Sequence, residues 1–516
     1  MINDVNSWFS LFGLKVSVSF LHFGWIAGIG LLLLLAAYLL YAKVLSELTG
    51  EPLKKLFPKP ALYLIIVAAA CHLLFFILAG IAAIQAESGR RTIQERFGRY
   101  PSAEGMNGLY FAGQKPDKAF WDYLEKSLES NRNGMFKVPD GKTNALYEIS
   151  PSHFLELTGE EKHIFRDNLK KVSSSMAELD NRLKNGIPKY PLEMKPDKML
   201  GTLLPHIIII RSFCRQMEWR TYMALEAGNK PGAFQSSELI RKMSQYGETE
   251  AFLIGVLVDI ACYNIYFASL EMLVEKQALT QEQIQMISQE LIALEKRIPQ
   301  MEKNVLYSEA VCGNDFFGAV LSGNLHRIWD ERTPAIPIRS LPFFLPQVQW
   351  LLLRNQVSLL RFYDAENLES IPDVRKEKMT PSNKMADFLI PALKPAGIKF
   401  QWLIARSRAE RVILACELFR MDTGKYPASA SELVPKYLDG IPDDPFTGKP
   451  LLFRTGKIKV ESGKIVEKNK AIRIVSEPKE VEGIQVWSVG PNSKDDDGQR
   501  DNMKQQDDIR AVIRTR

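Results

Sequence analysis

The chain of 516 residues is long enough for several domains, each with a core of ordinary size. Its 66 basic and 60 acidic residues leave a formal net charge of only +6, spread along the whole length. That gives no reason to expect nucleic acid, whose binding usually calls for a concentrated basic stripe, so no nucleic-acid partner is expected.

Two membrane segments come first. No Asp, Glu, Lys or Arg occurs between Lys15 and Lys43, or between Lys59 and Glu87. Each stretch exceeds the roughly 20 apolar residues that carry a helix across a bilayer. Residues 1–87 therefore read as a membrane anchor, with transmembrane helices at 17–42 and 60–85. The first lacks the basic start and short apolar run of a cleaved signal peptide. Charge counting nearly ties on orientation: Lys43, Lys54, Lys55 and Lys59 lie in the connection, and Arg90, Arg91, Arg96 and Arg99 follow the second helix.

Residues 88–198 read as an irregular stalk or cap, rich in turn residues, with a helical piece at 118–130. An amphipathic helix follows at 158–183, where Phe165, Leu169, Val172 and Met176 recur at helical spacing. Residues 199–390 form a helical domain by periodicity, with segments at 203–227, 236–246, 250–276, 280–297, 303–321 and 345–362. Thr280-Gln-Glu-Gln283 has the form of a capping box. The 250–276 segment is apolar enough to suggest a third span. Asp259, Asn264 and Glu271 would be costly in lipid, which favours a buried core helix.

Pro391 and Pro395 mark the next boundary. A helix over 398–422 places Ala405, Ala409, Val412, Ile413, Cys416 and Phe419 on one face. Strands are expected at 451–454, 457–461, 471–475 and 484–489, with turns at Gly456 and Gly463. This gives an α+β domain over 391–500 and a polar tail over 501–516, loose except at 509–513. The fold class expected is mainly α: two transmembrane helices, an irregular helical bundle or solenoid, and a C-terminal α+β domain.

Chemical motifs are few. Five cysteines, Cys71, Cys214, Cys262, Cys312 and Cys416, form no CxxC pair and read as buried free thiols. Gly141-Lys-Thr143 resembles a phosphate loop only superficially, because Phe136 stands where its first glycine belongs. The six histidines have no metal-ligand spacing; His22 and His72 fall in the membrane segments, and His206 opens a helix. Asp443-Asp-Pro-Phe-Thr-Gly448 reads as turn chemistry. The acidic run after Ser493 is the metal candidate. Asn492, Asp495, Asp497 and Asp501 offer the oxygens that calcium prefers, although Lys494 and Arg500 dilute the charge.

The order of the 410–427 helix, the 432–450 turns and Val486-Trp-Ser-Val-Gly-Pro-Asn-Ser-Lys-Asp-Asp-Asp-Gly498 resembles the periplasmic domain of the major pseudopilin of type II secretion systems. The resemblance implies a long helix packed on a small antiparallel sheet, calcium in the acidic loop, and a role in assembly. Tyr190-Pro-Leu-Glu-Met194, Leu203-Leu-Pro-His206 and Ala224-Leu-Glu-Ala-Gly228 resemble membrane-anchored proteins of planctomycete- and verrucomicrobia-type bacteria, a group that implies no activity. True pseudopilins begin with a processed leader and one continuous apolar helix; here prolines and some 390 residues precede the corresponding helix. Filament incorporation is therefore not expected. The function expected is a non-enzymatic, membrane-anchored assembly or protein-interaction protein of the bacterial envelope, in a secretion or pilus setting. It would sit in the inner membrane with its C-terminal domains extracytoplasmic, and its partners would be the bilayer and other proteins. The alternative is a membrane-tethered, hydrolase-like enzyme with its site in the helical domain.

Overall fold

The computed structural model describes residues 9–11, 14–16, 59–135, 155–156, 159–322, 345–363, 393–501 and 506–515, with a few positions between 36 and 52. Residues 185, 197–198, 200–201, 247–249, 251 and 469–470 are excepted. The expected helix at 17–42, the Gly141-Lys-Thr143 motif, and His22, His153 and His326 lie largely or wholly outside the described residues. The chain is mainly helical, with a small antiparallel sheet. It divides into two compact units. One comprises Met1–Leu109, Glu193–Leu203 and Leu306–Lys394; the other comprises Tyr110–Leu192, Leu204–Val305 and Pro395–Arg516.

In the first unit, a hairpin of β1 (Phe9–Leu11) and β2 (Leu14–Val16) precedes the long helix α1, Lys59–Phe97. At 39 residues, α1 is about 58 Å long, nearly twice the thickness of a bilayer core. Within it, Ile66–Phe97 is long and apolar enough to cross a membrane, and only 17% of its most apolar window is buried. Its later turns pack on protein instead. Phe75 meets Trp350 edge-on at 5.5 Å, and Ala79 and Ala82 close on Leu353 of α9, Pro346–Phe362. Arg90 then donates to Glu87 at 2.9 Å, and Tyr100 donates to the same carboxylate at 3.0 Å. Arg90 is thus paired within its own helix.

The second unit holds α3 (Lys118–Met135), α4 (Gly159–Leu183), α5 (Pro205–Glu226), α6 (Lys230–Tyr246) and α7 (Leu253–Glu275). The short helix α2, Ala103–Phe111, ends in this unit. The stretch expected as an irregular stalk is therefore partly helical, held by buried Trp121 and Leu124. Helix α6 begins earlier than expected. Pro231 sits in its first turn, where no backbone donor is required, and Asn229 Oδ1 accepts the Gly232 N–H at 3.0 Å. The segments expected at 280–297 and 303–321 are one helix, α8, Gln281–Leu321. Pro299 inside it costs about 3 kcal/mol; burial of Leu291, Leu294, Ile298, Met301 and Val305 offsets that loss. The capping box forms as expected, with Thr280 N–H to Gln283 Oε1 at 2.9 Å and Gln283 N–H to Thr280 Oγ1 at 3.3 Å.

Helix α7 is 67% buried over its apolar window and carries Asp259, Glu271 and Glu275 inward. It is a core helix, as its carboxylates imply. Helix α10, Leu393–Thr423, starts upstream of expectation because Pro395 falls in its first turn. It buries Ala405, Ala409, Val412, Ile413, Cys416 and Phe419. Four of the cysteines are buried free thiols, and Cys71 is exposed on α1.

Two long strands, β4 (Leu452–Lys468) and β5 (Ala471–Ser488), replace the four expected. Gly456 and Gly463 are not turns; both lie within the ladder, opposite Gly483 and Ser476. The tail supplies a third strand, β8, Ile509–Arg514, on the far side of β5, and the two-residue β3, Leu155–Glu156, runs parallel to β4.

The free edge of β8 is closed by α7. Glu271 Oε1 accepts the Val512 N–H at 2.7 Å, and Glu275 accepts the Arg514 N–H at 3.3 Å and its Nε at 2.9 Å. Arg406 of α10 lies between, 2.9 Å from both Glu271 and Glu410, and donates to the Arg510 carbonyl. Burial works against the Arg406 charge, and Glu271 and Glu410 more than restore it. Burial pushes the Glu410 carboxyl well up, with Arg406 pulling the other way. Removing the cation leaves buried carboxylates uncompensated, so Arg406→Met should destabilise the unit by about 3–5 kcal/mol. A carboxyl raised in the folded state stabilises fully below its unfolded value and loses that contribution as pH rises through the folded one. Glu410→Gln should therefore be tolerated, and its thermal midpoint should decline less than wild type between pH 5 and pH 9. Melting curves of the detergent-solubilised chain check both.

Candidate functional site

A buried polar cluster forms in the second unit where residues distant in sequence converge. The segment after α4 runs beside α3, with Asp117 N–H donating to the Lys189 carbonyl at 3.1 Å and Trp121 Nε1 to the Pro188 carbonyl at 2.9 Å. This places Lys189, 2% exposed, over the rings of Tyr246 at 4.4 Å and Tyr110 at 4.8 Å. The ammonium also reaches the Tyr246 carbonyl at 3.5 Å. The Tyr246 hydroxyl links to Tyr110 at 3.0 Å and accepts the Tyr190 N–H at 2.8 Å.

His206 completes the cluster. The proline at the start of α5 fixes the turn that carries it inward, and its Nε2 lies 2.8 Å from Glu250 Oε2, both groups fully buried. Tyr190 stacks on the imidazole at 5.1 Å. The other ring nitrogen, Nδ1, is buried and meets no hydrogen-bond partner among the described residues.

Burial pushes the Lys189 ammonium down to about 8, with Glu250 and Asp259 acting in the opposite sense. Burial raises the Tyr110 and Tyr246 phenols. Lys189 and Tyr246 border a cavity of about 330 Å³. The cluster therefore presents a cation of adjustable charge at the floor of a pocket of ligand size. Nothing in the sequence picks out Lys189 or Glu250, since each stands in no short motif; His206 alone draws attention.

The acidic loop is arranged differently. Asp495 Oδ1 accepts from Trp487 Nε1 and from the Asp497 N–H, each at 3.0 Å. Asp497, in the left-handed region at φ 62°, pairs with Arg454, which holds its carboxyl below the usual range. Asn492 Nδ2 donates to Asp496 Oδ2 at 3.0 Å, and Asp501 lies in β6 (Arg500–Asp501), paired with β7 (Gln506–Asp507). Among the described residues no three His, Cys, Asp or Glu side chains gather closely enough to hold a metal ion. At the base of the loop is Asp508, which sequence reasoning missed. Its Oδ2 accepts the Asp496 and Gly498 N–H groups at 3.0 and 2.8 Å. Burial raises its carboxyl to about 7, the two N–H bonds oppose this, and Asp496 and Asp495 add to it.

Asp443-Asp444 serves the turn, as expected. Asp444 accepts from the Phe446 N–H, the Ser488 hydroxyl and the Val489 N–H, each at 2.9 Å, and Gly448 takes φ 67°. Compared with family models, curated proteins and solved structures, the chain matches none of them.

A lysine lowered in the folded state binds fewer protons than the unfolded chain between pH 8 and 10.5, so its contribution to stability rises with pH there. Replacing Lys189 by Met should remove that rise. The difference in thermal midpoint between pH 7.5 and pH 9.5 should then be more negative for the variant than for wild type.

Proposed function

We propose that this is a membrane-tethered, non-enzymatic assembly or protein-interaction protein of the bacterial envelope. The observation that carries the reading is an open groove of about 390 Å³ between α5 and α7. Its floor is Ile254, Leu257, Val258, Ala261 and Ile265, and Arg211 and Arg215 stand along it. Ile254 is 56% exposed, and Ile208, one turn before Arg211, is 70% exposed. Exposed aliphatics beside arginine are the composition of interfaces rather than of a solvated face. Asn264 lines the same groove, and its side-chain oxygen is buried beside it with no hydrogen-bond partner among the described residues. An amphipathic helix with carboxylates along one edge suits this surface.

The pilin-like identity of the C-terminal module, a secretion or pilus setting, and placement in the inner membrane with that module outside belong to the same proposal. The long helix packed beside an antiparallel sheet supports the first of these. Calcium in the acidic loop is proposed with it. Asp508 Oδ1 is buried without a hydrogen-bond partner among the described residues, which suits a cation at the base of the loop. Binding there requires Asp497 to exchange Arg454 for the ion. The enzyme reading draws on the Lys189 cavity, whose described lining supplies ammonium, amide and phenol groups with no carboxylate or imidazole among them.

A photo-crosslinking residue at position 254, in native membranes, should capture a discrete protein partner. Ile208→Asp should abolish that adduct while leaving the chain folded. Capture of lipid alone, or an adduct indifferent to Ile208→Asp, contradicts the reading. Millimolar calcium should raise the thermal midpoint of the full chain, and Asp508→Asn should reduce that shift; no shift removes the site.

A further inference from the structure

We infer that the cavity beside Lys189 is a binding site for a small organic anion, a carboxylate or phosphate monoester on a short aliphatic body. Three lysines reach it from three places in the fold: Lys184 after the end of α4, Lys189 from the connecting segment, and Lys242 from α6. Gln114 and Gln245 add carboxamides, and no carboxylate is among the described residues that line the space. Like charges repel, so three ammonium groups around one cavity of about 330 Å³ carry a mutual electrostatic cost, which Glu250 and Asp259 offset in part at Lys189. An anion held between them turns that cost into binding energy.

The three cations have different duties. Lys184 and Lys242 are exposed at the mouth, and Lys184 Nζ donates to Asn181 Oδ1 at 2.7 Å. Lys189 is fixed at the floor by the faces of Tyr110 and Tyr246 and by the Tyr246 carbonyl. A cation so fixed has little conformational freedom left to lose when a ligand arrives, which favours affinity. Glu250 and Asp259 act on Lys189 from the side of the buried cluster, and Glu290 accepts from Gln245 Nε2 at 3.2 Å and from Arg241 Nη1 at 3.2 Å. Glu290 therefore orients the Gln245 amide and is itself engaged by Arg241. Leu183, Ile187 and Leu239 supply an apolar wall on which an aliphatic body packs. Anionic head and apolar body thus each have a matching surface.

The test uses the full chain in lipid nanodiscs, with empty nanodiscs subtracted, and four probes of equal chain length: hexanoate, hexyl phosphate, hexan-1-ol and hexylamine. Calorimetric titration should give saturable binding of hexanoate or hexyl phosphate, and whichever binds more tightly identifies the head group. Hexan-1-ol should bind at least about tenfold more weakly and hexylamine not at all. Lys184→Met with Lys242→Met, both on the surface, should weaken the anion at least about tenfold. Lys189→Met should abolish binding, with a melting curve confirming that the variant is folded. If neither anion saturates at millimolar concentrations, if the alcohol binds as tightly as the anions, or if the double rim variant behaves as wild type, the inference fails.

Discussion

The interaction on which the second unit depends is the meeting of two carboxylates with the edge of a strand. Glu271 and Glu275 are four residues apart on α7, a helical rise of about 6 Å. Val512 and Arg514 are two residues apart on β8, about 6.6 Å in an extended strand. The spacings match, so one helix face accepts two consecutive outward N–H groups of the sheet edge. An open edge would otherwise invite pairing with another chain. Arg406 offsets the cost of burying these carboxyl groups by pairing with Glu271 and Glu410.

The same contact joins the C-terminal module to the helical body. Arg408 and Arg411 of α10 add a second tie, reaching Glu295 of α8 at 3.0 and 3.3 Å, and Ser407 donates to the Leu291 carbonyl at 3.3 Å. This face of α10 is thereby engaged in internal packing. The two proposals place recognition elsewhere, in the α5–α7 groove and the Lys189 cavity. The groove is open and apolar, whereas the cavity is cationic, so the two suit different classes of ligand.

Much of this was legible in the sequence, for a physical reason in each case. The apolar face of α10 repeats at helical spacing, and the Thr280 capping box is a local device that needs no distant partner. Asp259 and Glu271 in an apolar helix pointed to a core, because lipid would penalise them. What was hidden depended on distance. Strand β8 looks like a loose basic tail until β5 offers a partner, and Gly456 reads as a turn until Gly483 is seen opposite it. Pro395 reads as a boundary, although a first turn accommodates it, and the gap expected between 297 and 303 is closed by packing around Pro299. The Lys189 cluster gathers side chains from positions 110, 189, 206, 246 and 250, and no local pattern announces such a meeting. In the acidic loop the sequence drew attention to Asp495 and Asp497, while buried Asp508, within the polar tail, carries the raised carboxyl.

The central claim is that the helical body and the C-terminal module open as one cooperative structure through the α7–β8 junction. Hydrogen–deuterium exchange of the full chain measures this directly at the Val512 and Arg514 amides. The account predicts that these amides exchange as slowly as those of α7, and that Arg406→Met accelerates both together. Fast exchange in β8 while α7 remains protected would contradict it.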